Sequence, residues 1–117
     1  MEPIMFIVNG PAYGTENAYN ALRAARMLIE KPEVQIRMFL IGDAVTCARK
    51  EQKPPTGYYN LAKMLASIIE KGAEVGACGV CMDARGIADA DLVPGVHRST
   101  MNELADWTIG ASKVVSF

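Results

Sequence analysis

The residues best suited to chemistry are two cysteines, Cys78 and Cys81, in the segment CGVCMDARG. A cysteine at the end of a strand that leads into a helical turn meets free backbone N–H groups and the positive end of the helix dipole. Arg85 adds a positive charge nearby in the sequence. Both effects favour the thiolate, the nucleophilic form of cysteine, so we predict catalytic roles for Cys78 and Cys81. The neighbours predicted to bind at this site are Gly79, Val80, Met82 and Arg85.

Other interpretations of a C-x-x-C motif stay open at this point. Both thiols could be small buried hydrophobic residues, or the pair could be a redox dithiol. A thioredoxin-like protein has the motif near its first βαβ unit, whereas here two βα units precede it. A zinc site needs four ligands, and the remaining candidates, Cys47 and His97, offer no second C-x-x-C or H-x-x-x-H. We therefore expect neither a metal nor a cofactor.

Short apolar runs predict the strands that position these cysteines. Runs of this length, free of long helical periodicity, are typical of strands buried on both faces of a parallel sheet. The third predicted strand leads directly into Cys78. The predicted strands cover residues 3–8, 34–41, 73–77 and 113–117.

Apolar residues at helical spacing predict three helices between these strands. The first has Thr15 as its N-cap and ends before Pro32. The second covers residues 58–71, and the third begins at the capping pair Thr100 and Glu103. Residues 82–96 are mixed and predict a helical turn and a short strand.

Strands alternating with helices predict a single α/β domain over residues 1–117. Ligands of such sheets collect beyond the carboxyl ends of the strands. Three loops lie there, at residues 9–14, 42–47 and 78–86. The first loop supplies two further candidate binding residues, Asn9 and Tyr13.

Composition excludes several classes of protein. Hydrophobic residues make up 50% of the 117 residues and charged residues 21%, which excludes a disordered chain. The formal net charge of −1 gives no field that would attract nucleic acid. We expect no membrane span, because no apolar run approaches about 20 residues. An odd number of cysteines without a signal-peptide pattern predicts a reducing cytoplasm.

The sequence resembles the DsrE/DsrF-like family, in particular its YchN-like members, over essentially its full length. The specific part is the strand-end cysteine in a C-x6-R-G frame, from Cys78 to Gly86. The segments FLIGDAV at 39–45, GYYNL at 57–61 and STMNELADWT at 99–108 are also similar.

The resemblance implies a three-layer α/β/α sandwich with a mainly parallel five-stranded sheet. It implies a homo-oligomer, a trimer or hexamer, and a sulfur relay in which Cys78 holds a persulfide between donor and acceptor proteins. Cys81 is extra relative to the sulfur-relay branch. The alternative function is a non-catalytic, oligomeric subunit that binds a small ligand or a partner.

The apolar content also exceeds what one small core hides. We expect the surplus, including Tyr58, Tyr59, Trp107 and some methionines, to lie at subunit interfaces. A monomer in sedimentation equilibrium would contradict this expectation.

Overall fold

The computed structural model describes residues 2–117, and Met1 lies outside the described part. The strands are β1 (Glu2–Val8), β2 (Val34–Leu40), β3 (Glu74–Cys78), β4 (Val96–Ser99) and β5 (Lys113–Ser116). The helices are α1 (Asn17–Leu28), α2 (Leu61–Glu70), α3 (Gly79–Ala84) and α4 (Met101–Gly110). Two 3₁₀ segments cover Gly42–Ala48 and Asp89–Asp91. Within residues 2–117, no helix has the length and apolar character needed to cross a membrane.

The five strands form one sheet in the order β4-β3-β2-β1-β5, and all neighbouring strands are parallel. The predicted α/β fold with a five-stranded sheet is therefore confirmed. Because the strands are parallel, all five carboxyl ends lie at the same edge. The register pairs Cys78 at the end of β3 with Ser99 at the end of β4.

Helices cover both faces of the sheet. The helices α1 and α2 pack against each other, and their buried side chains include Leu22 and Leu65. On the opposite face, Trp107 of α4 meets the ring of Phe39 edge-on, with centroids 6.4 Å apart. Phe39 is fully buried, so the centre of the sheet is covered from solvent on this face as well.

Trp107 was expected on an exposed face that could form a subunit interface, and this expectation was wrong. Its side chain is 7% exposed because it fills the space between α4 and the sheet. Tyr58, by contrast, is 59% exposed, and Tyr59 is half-buried. The large exposed apolar side chains are Met27, Tyr58, Val80, Met101, Ile109 and Val114.

Two predicted helix starts were wrong by a few residues. The helix α1 begins at Asn17, and Glu16 rather than Thr15 precedes it. The helix α2 begins at Leu61 because the Asn60 side chain accepts a hydrogen bond from the backbone N–H of Lys63 at 3.1 Å.

The predicted cap of α4 is present in part. Thr100 Oγ1 accepts a hydrogen bond from the backbone N–H of Glu103 at 3.2 Å. The Glu103 carboxylate does not complete a capping box, because it accepts from Ser99 Oγ and lies beside His97 instead.

The short strand predicted within the mixed region, residues 82–96, is β4. This strand begins only at Val96 and extends to Ser99, past the end of that region.

Candidate functional site

Cys78 is the last residue of β3 and the residue that precedes α3. It lines a cavity of about 420 Å³ at the carboxyl edge of the sheet. The side chain is 5% exposed, so a reactant reaches it through this cavity. The residues that line this Cys78 cavity are Cys78, Gly79, Val80, Cys81, Arg98, Ser99, Thr100 and Met101.

Cys81 lies beside Cys78, and the backbone holds its sulfur. The Gly42 N–H donates a hydrogen bond to Cys81 Sγ, with 3.2 Å between nitrogen and sulfur. Burial raises the pKa of the Cys81 thiol, and a hydrogen bond with the Cys78 thiol raises it further. The Gly42 N–H and the charge of Arg85 lower this pKa but do not outweigh burial. Cys81 therefore keeps its proton more firmly than an ordinary cysteine.

Arg85 is engaged with an aspartate, which limits the role predicted for its charge. Its Nη2 and Nε donate to Asp43 Oδ1 at 2.8 and 3.1 Å, and its Nη1 donates to the carbonyl of Cys81 at 3.1 Å. Asp43 neutralises much of the positive charge expected to favour a thiolate. The two bonds to Asp43 instead tie the end of α3 to the 3₁₀ segment that follows β2, and the bond to Cys81 stays within α3.

Arg98 is a site residue that the sequence interpretation missed. A Cβ built on Gly79 would lie 2.9 Å from Arg98 Nε, so the arginine packs directly on the glycine after Cys78. Its Nη2 donates to Asp83 at 2.6 Å and its Nη1 to Asp89 at 3.4 Å. The Asp83 hydrogen bond raises the pKa of Arg98, which therefore stays charged. Pairing of β4 with β3 brings Arg98 to this position, and the local sequence carried no signal of it.

A polar cluster lies beside the Cys78 cavity and shares Ser99 with its lining. Ser99 Oγ donates to the Glu103 carboxylate at 2.5 Å, and His97 Nε2 pairs with the same oxygen. A Cβ on Gly76 would lie 3.0 Å from Ser99 Cβ and 3.1 Å from His97 Nε2. The cluster therefore occupies the space that a side chain at position 76 would need.

Glu103 is the charged centre of this cluster. Burial acts to raise its pKa, but the hydrogen bonds from Ser99 and His97, together with nearby charge that includes Arg37, outweigh burial and hold the pKa below its ordinary value of 4.5. A carboxyl group with a lowered pKa stabilises the folded state above its unfolded pKa, and that stabilisation is lost as the pH falls through the folded pKa.

We expect Glu103→Gln to lower the free energy of unfolding by about 1 kcal/mol at neutral pH. The difference from the wild type should shrink as the pH falls through the lowered pKa of the folded carboxyl, because the wild-type side chain is then also uncharged. Urea denaturation at neutral pH and at a series of acidic pH values measures it. A deficit that stays the same at low pH would show that packing, rather than charge, accounts for the effect.

The structure does not bring the other predicted residues into the Cys78 cavity. Asn9 Nδ2 donates to Ser116 Oγ and to the Phe117 carbonyl, both at 3.2 Å, and so ties β1 to β5. Tyr13 lies in a second cavity. Met82 is fully buried beneath α3 and does not line the Cys78 cavity.

The third cysteine, Cys47, lies in the core and is 1% exposed. Burial raises its pKa to about 12, so its thiol is unreactive at neutral pH. Among residues 2–117, no group of three or more His, Cys, Asp or Glu side chains is placed to hold a metal ion.

The model of the DsrE/DsrF-like family matches residues 2–117. The chain belongs to this family. It is 41% identical to Protein YchN of Escherichia coli strain K12, over the full length of both chains. The crystal structure of the ychN protein from E. coli superposes with a TM-score of 0.92, at 39% identity and full coverage of both chains. At 28% identity, the chain also matches Sulfurtransferase TusD of Salmonella typhi, covering 95% of this chain and 96% of that one.

Proposed function

We propose that this DsrE/DsrF-like protein is a persulfide carrier that holds one sulfur atom on Cys78. The observation that carries the proposal is the placement of Cys78 on the wall of the Cys78 cavity, beside a second thiol that keeps its proton. The distant match to a protein named a sulfurtransferase supports the same class of chemistry.

Loading of Cys78 is a thiol exchange that requires no cofactor. The Cys78 thiolate attacks the terminal sulfur of a donor persulfide, R–S–SH, and a new S–S bond forms at Cys78 Sγ. The donor S–S bond breaks, and its electron pair leaves with the donor as R–S⁻. The protein then holds Cys78–S–SH. In this step Cys78 is oxidised from thiol to persulfide, and the donor is reduced from persulfide to thiol.

Cys81 and the cavity rim have defined parts in this scheme. A Cys81 thiol that keeps its proton is a hydrogen-bond donor for negative charge on Cys78 or on the transferred sulfur. Val80 is 78% exposed and Met101 is 56% exposed at the rim, so an approaching donor or acceptor protein meets an apolar surface there. A reducing cytoplasm would keep both thiols available.

To test the proposal, the wild-type protein is treated with glutathione persulfide, and the reagent is then removed. Intact mass and peptide mapping measure the sulfur that the protein retains. We expect each chain to gain the mass of one sulfur atom, located on Cys78. A chain that loses two hydrogens and retains no sulfur would indicate a Cys78–Cys81 dithiol instead. An unchanged mass would indicate a subunit without thiol chemistry.

A further inference from the structure

The four tyrosines of the chain form one aromatic cluster at the surface. Tyr19 stacks on Tyr59 with ring centroids 4.0 Å apart, and Tyr59 stacks on Tyr58 at 5.2 Å and on Tyr13 at 5.8 Å. The Arg23 guanidinium lies 5.4 Å from the centre of the Tyr19 ring, so a cation covers this end of the tyrosine cluster. At the other end, the 59% exposed ring of Tyr58 borders a cavity.

This second cavity, called here the tyrosine cavity, has a volume of about 490 Å³. That volume is within the range of small-molecule sites in proteins. It lies beyond the carboxyl ends of β1 and β2, where sheets of this class bind ligands. The rings that line it are those of Tyr13, Tyr58, Pro11, Pro54 and Pro55.

The floor of the tyrosine cavity is fixed by Gln52. Its Oε1 accepts from the Tyr13 hydroxyl at 2.7 Å and from the Ala62 N–H at 3.3 Å. Its Nε2 donates to the carbonyls of Cys47 and Arg49 at 2.9 and 2.8 Å. Both N–H donors and both acceptor sites of the Gln52 side-chain amide are thus already used in hydrogen bonds within the protein. A ligand would be recognised by the rings and charges around this floor rather than by the floor itself.

The charges around the tyrosine cavity are positive on balance. Arg49 and Lys53 line it together with one acidic residue, Glu51. Among residues 2–117, neither cation takes part in an ion pair. Both are therefore free to meet a negative group on a ligand.

We propose that the tyrosine cavity binds a small anion that carries a flat aromatic ring. The ring extends the tyrosine cluster by stacking on Tyr58, and the negative group pairs with Arg49 and Lys53. The site is separate from the Cys78 cavity, with which it shares no lining residue. The 3₁₀ segment lies between the two cavities, since its Gly42 meets Cys81 and its Thr46 lines the tyrosine cavity.

Calorimetric titration with adenosine 5′-monophosphate tests this site, because that probe joins a flat ring to a negative group. Adenosine and inorganic phosphate serve as its two halves. We expect the whole probe to bind at least about tenfold more tightly than either half. The tyrosine ring signals in the NMR spectrum should shift on binding. Absence of binding at millimolar probe, or equal binding of adenosine and the nucleotide, would overturn the proposal.

Two variants separate the contributions of ring and charge. We expect Tyr58→Ala to weaken nucleotide binding about tenfold. Arg49→Gln should weaken binding of the nucleotide while leaving that of adenosine unchanged. The matched controls are Met27→Ala, at another exposed apolar residue, and Arg26→Gln on α1. Binding that survives Tyr58→Ala, or that the controls reduce equally, would overturn the assignment to the tyrosine cavity.

Discussion

Replacement of Cys78 by serine is expected to abolish sulfur loading under conditions that load every wild-type chain. Serine keeps the size and the backbone of the site, but its oxygen cannot form the S–S bond of a persulfide. The remaining thiols are poor substitutes, because the pKa of Cys81 is raised and that of Cys47 lies at about 12. Intact mass after treatment with glutathione persulfide measures the loss.

Two further cysteine variants make this result specific. Cys47→Ala removes a buried thiol that does not line the Cys78 cavity and should load like the wild type. Cys81→Ala removes a hydrogen-bond donor from Cys78, so its loading should slow by about threefold to tenfold without being lost. A Cys78→Ser protein that still retains sulfur on Cys81 would contradict the assignment of Cys78 as the carrier.

Gly95→Ala is expected to destabilise the fold by about 3 kcal/mol. Gly95 has a φ of 97°, a backbone conformation that residues other than glycine rarely adopt. A Cβ there would also lie 2.6 Å from Cγ2 of Ile69 on α2. Because a β-branched side chain in a helix has little freedom at χ1, the isoleucine cannot turn away at low cost. Denaturant unfolding measures the change.

Gly57→Ala is the matched control for this prediction. Gly57 has a similar φ of 88°, but nothing lies within 4 Å of a Cβ built there. It should cost about 1 kcal/mol, from backbone strain alone. The difference between the two variants then isolates the clash with Ile69. Equal losses of stability would contradict the steric explanation.

The main features of the fold were predictable because their signals are local. Buried parallel strands have continuous apolar runs in the sequence, as in Phe6 and its neighbours in β1. In α1 and α2, the apolar residues recur at helical spacing because one face of each helix is buried. The strand-end position of Cys78 followed from the same patterns, because the third run stops at that residue. The helix starts were less predictable, since Thr15 and Asn60 are both suitable caps in isolation. In the structure Asn60 caps α2, whereas α1 has no side-chain cap and Glu16 precedes it.

The residues that surround Cys78 were harder to predict than Cys78 itself. Arg98 follows Cys78 by twenty positions and reaches Gly79 only because β4 pairs with β3. The short strand β4 has two exposed residues of four, so its apolar pattern is too weak to set its limits. Asp43 likewise meets Arg85 because the 3₁₀ segment packs against α3, and sequence spacing carries no signal of that pair.

The pairing of β5 with β1 has a consequence for the order in which the sheet can assemble. Ile4 and Phe6 pair with Lys113 and Val115, which follow them by about a hundred residues in the sequence. A growing chain can pair β1 with β2 early, but the other side of this apolar strand stays unpaired until residues 113–116 have been made. Contacts of such long sequence separation also slow folding. A chain in which β5 has not yet docked thus exposes the apolar edge of β1 to edge-to-edge association, and docking of β5 replaces that edge with a short, mostly exposed strand.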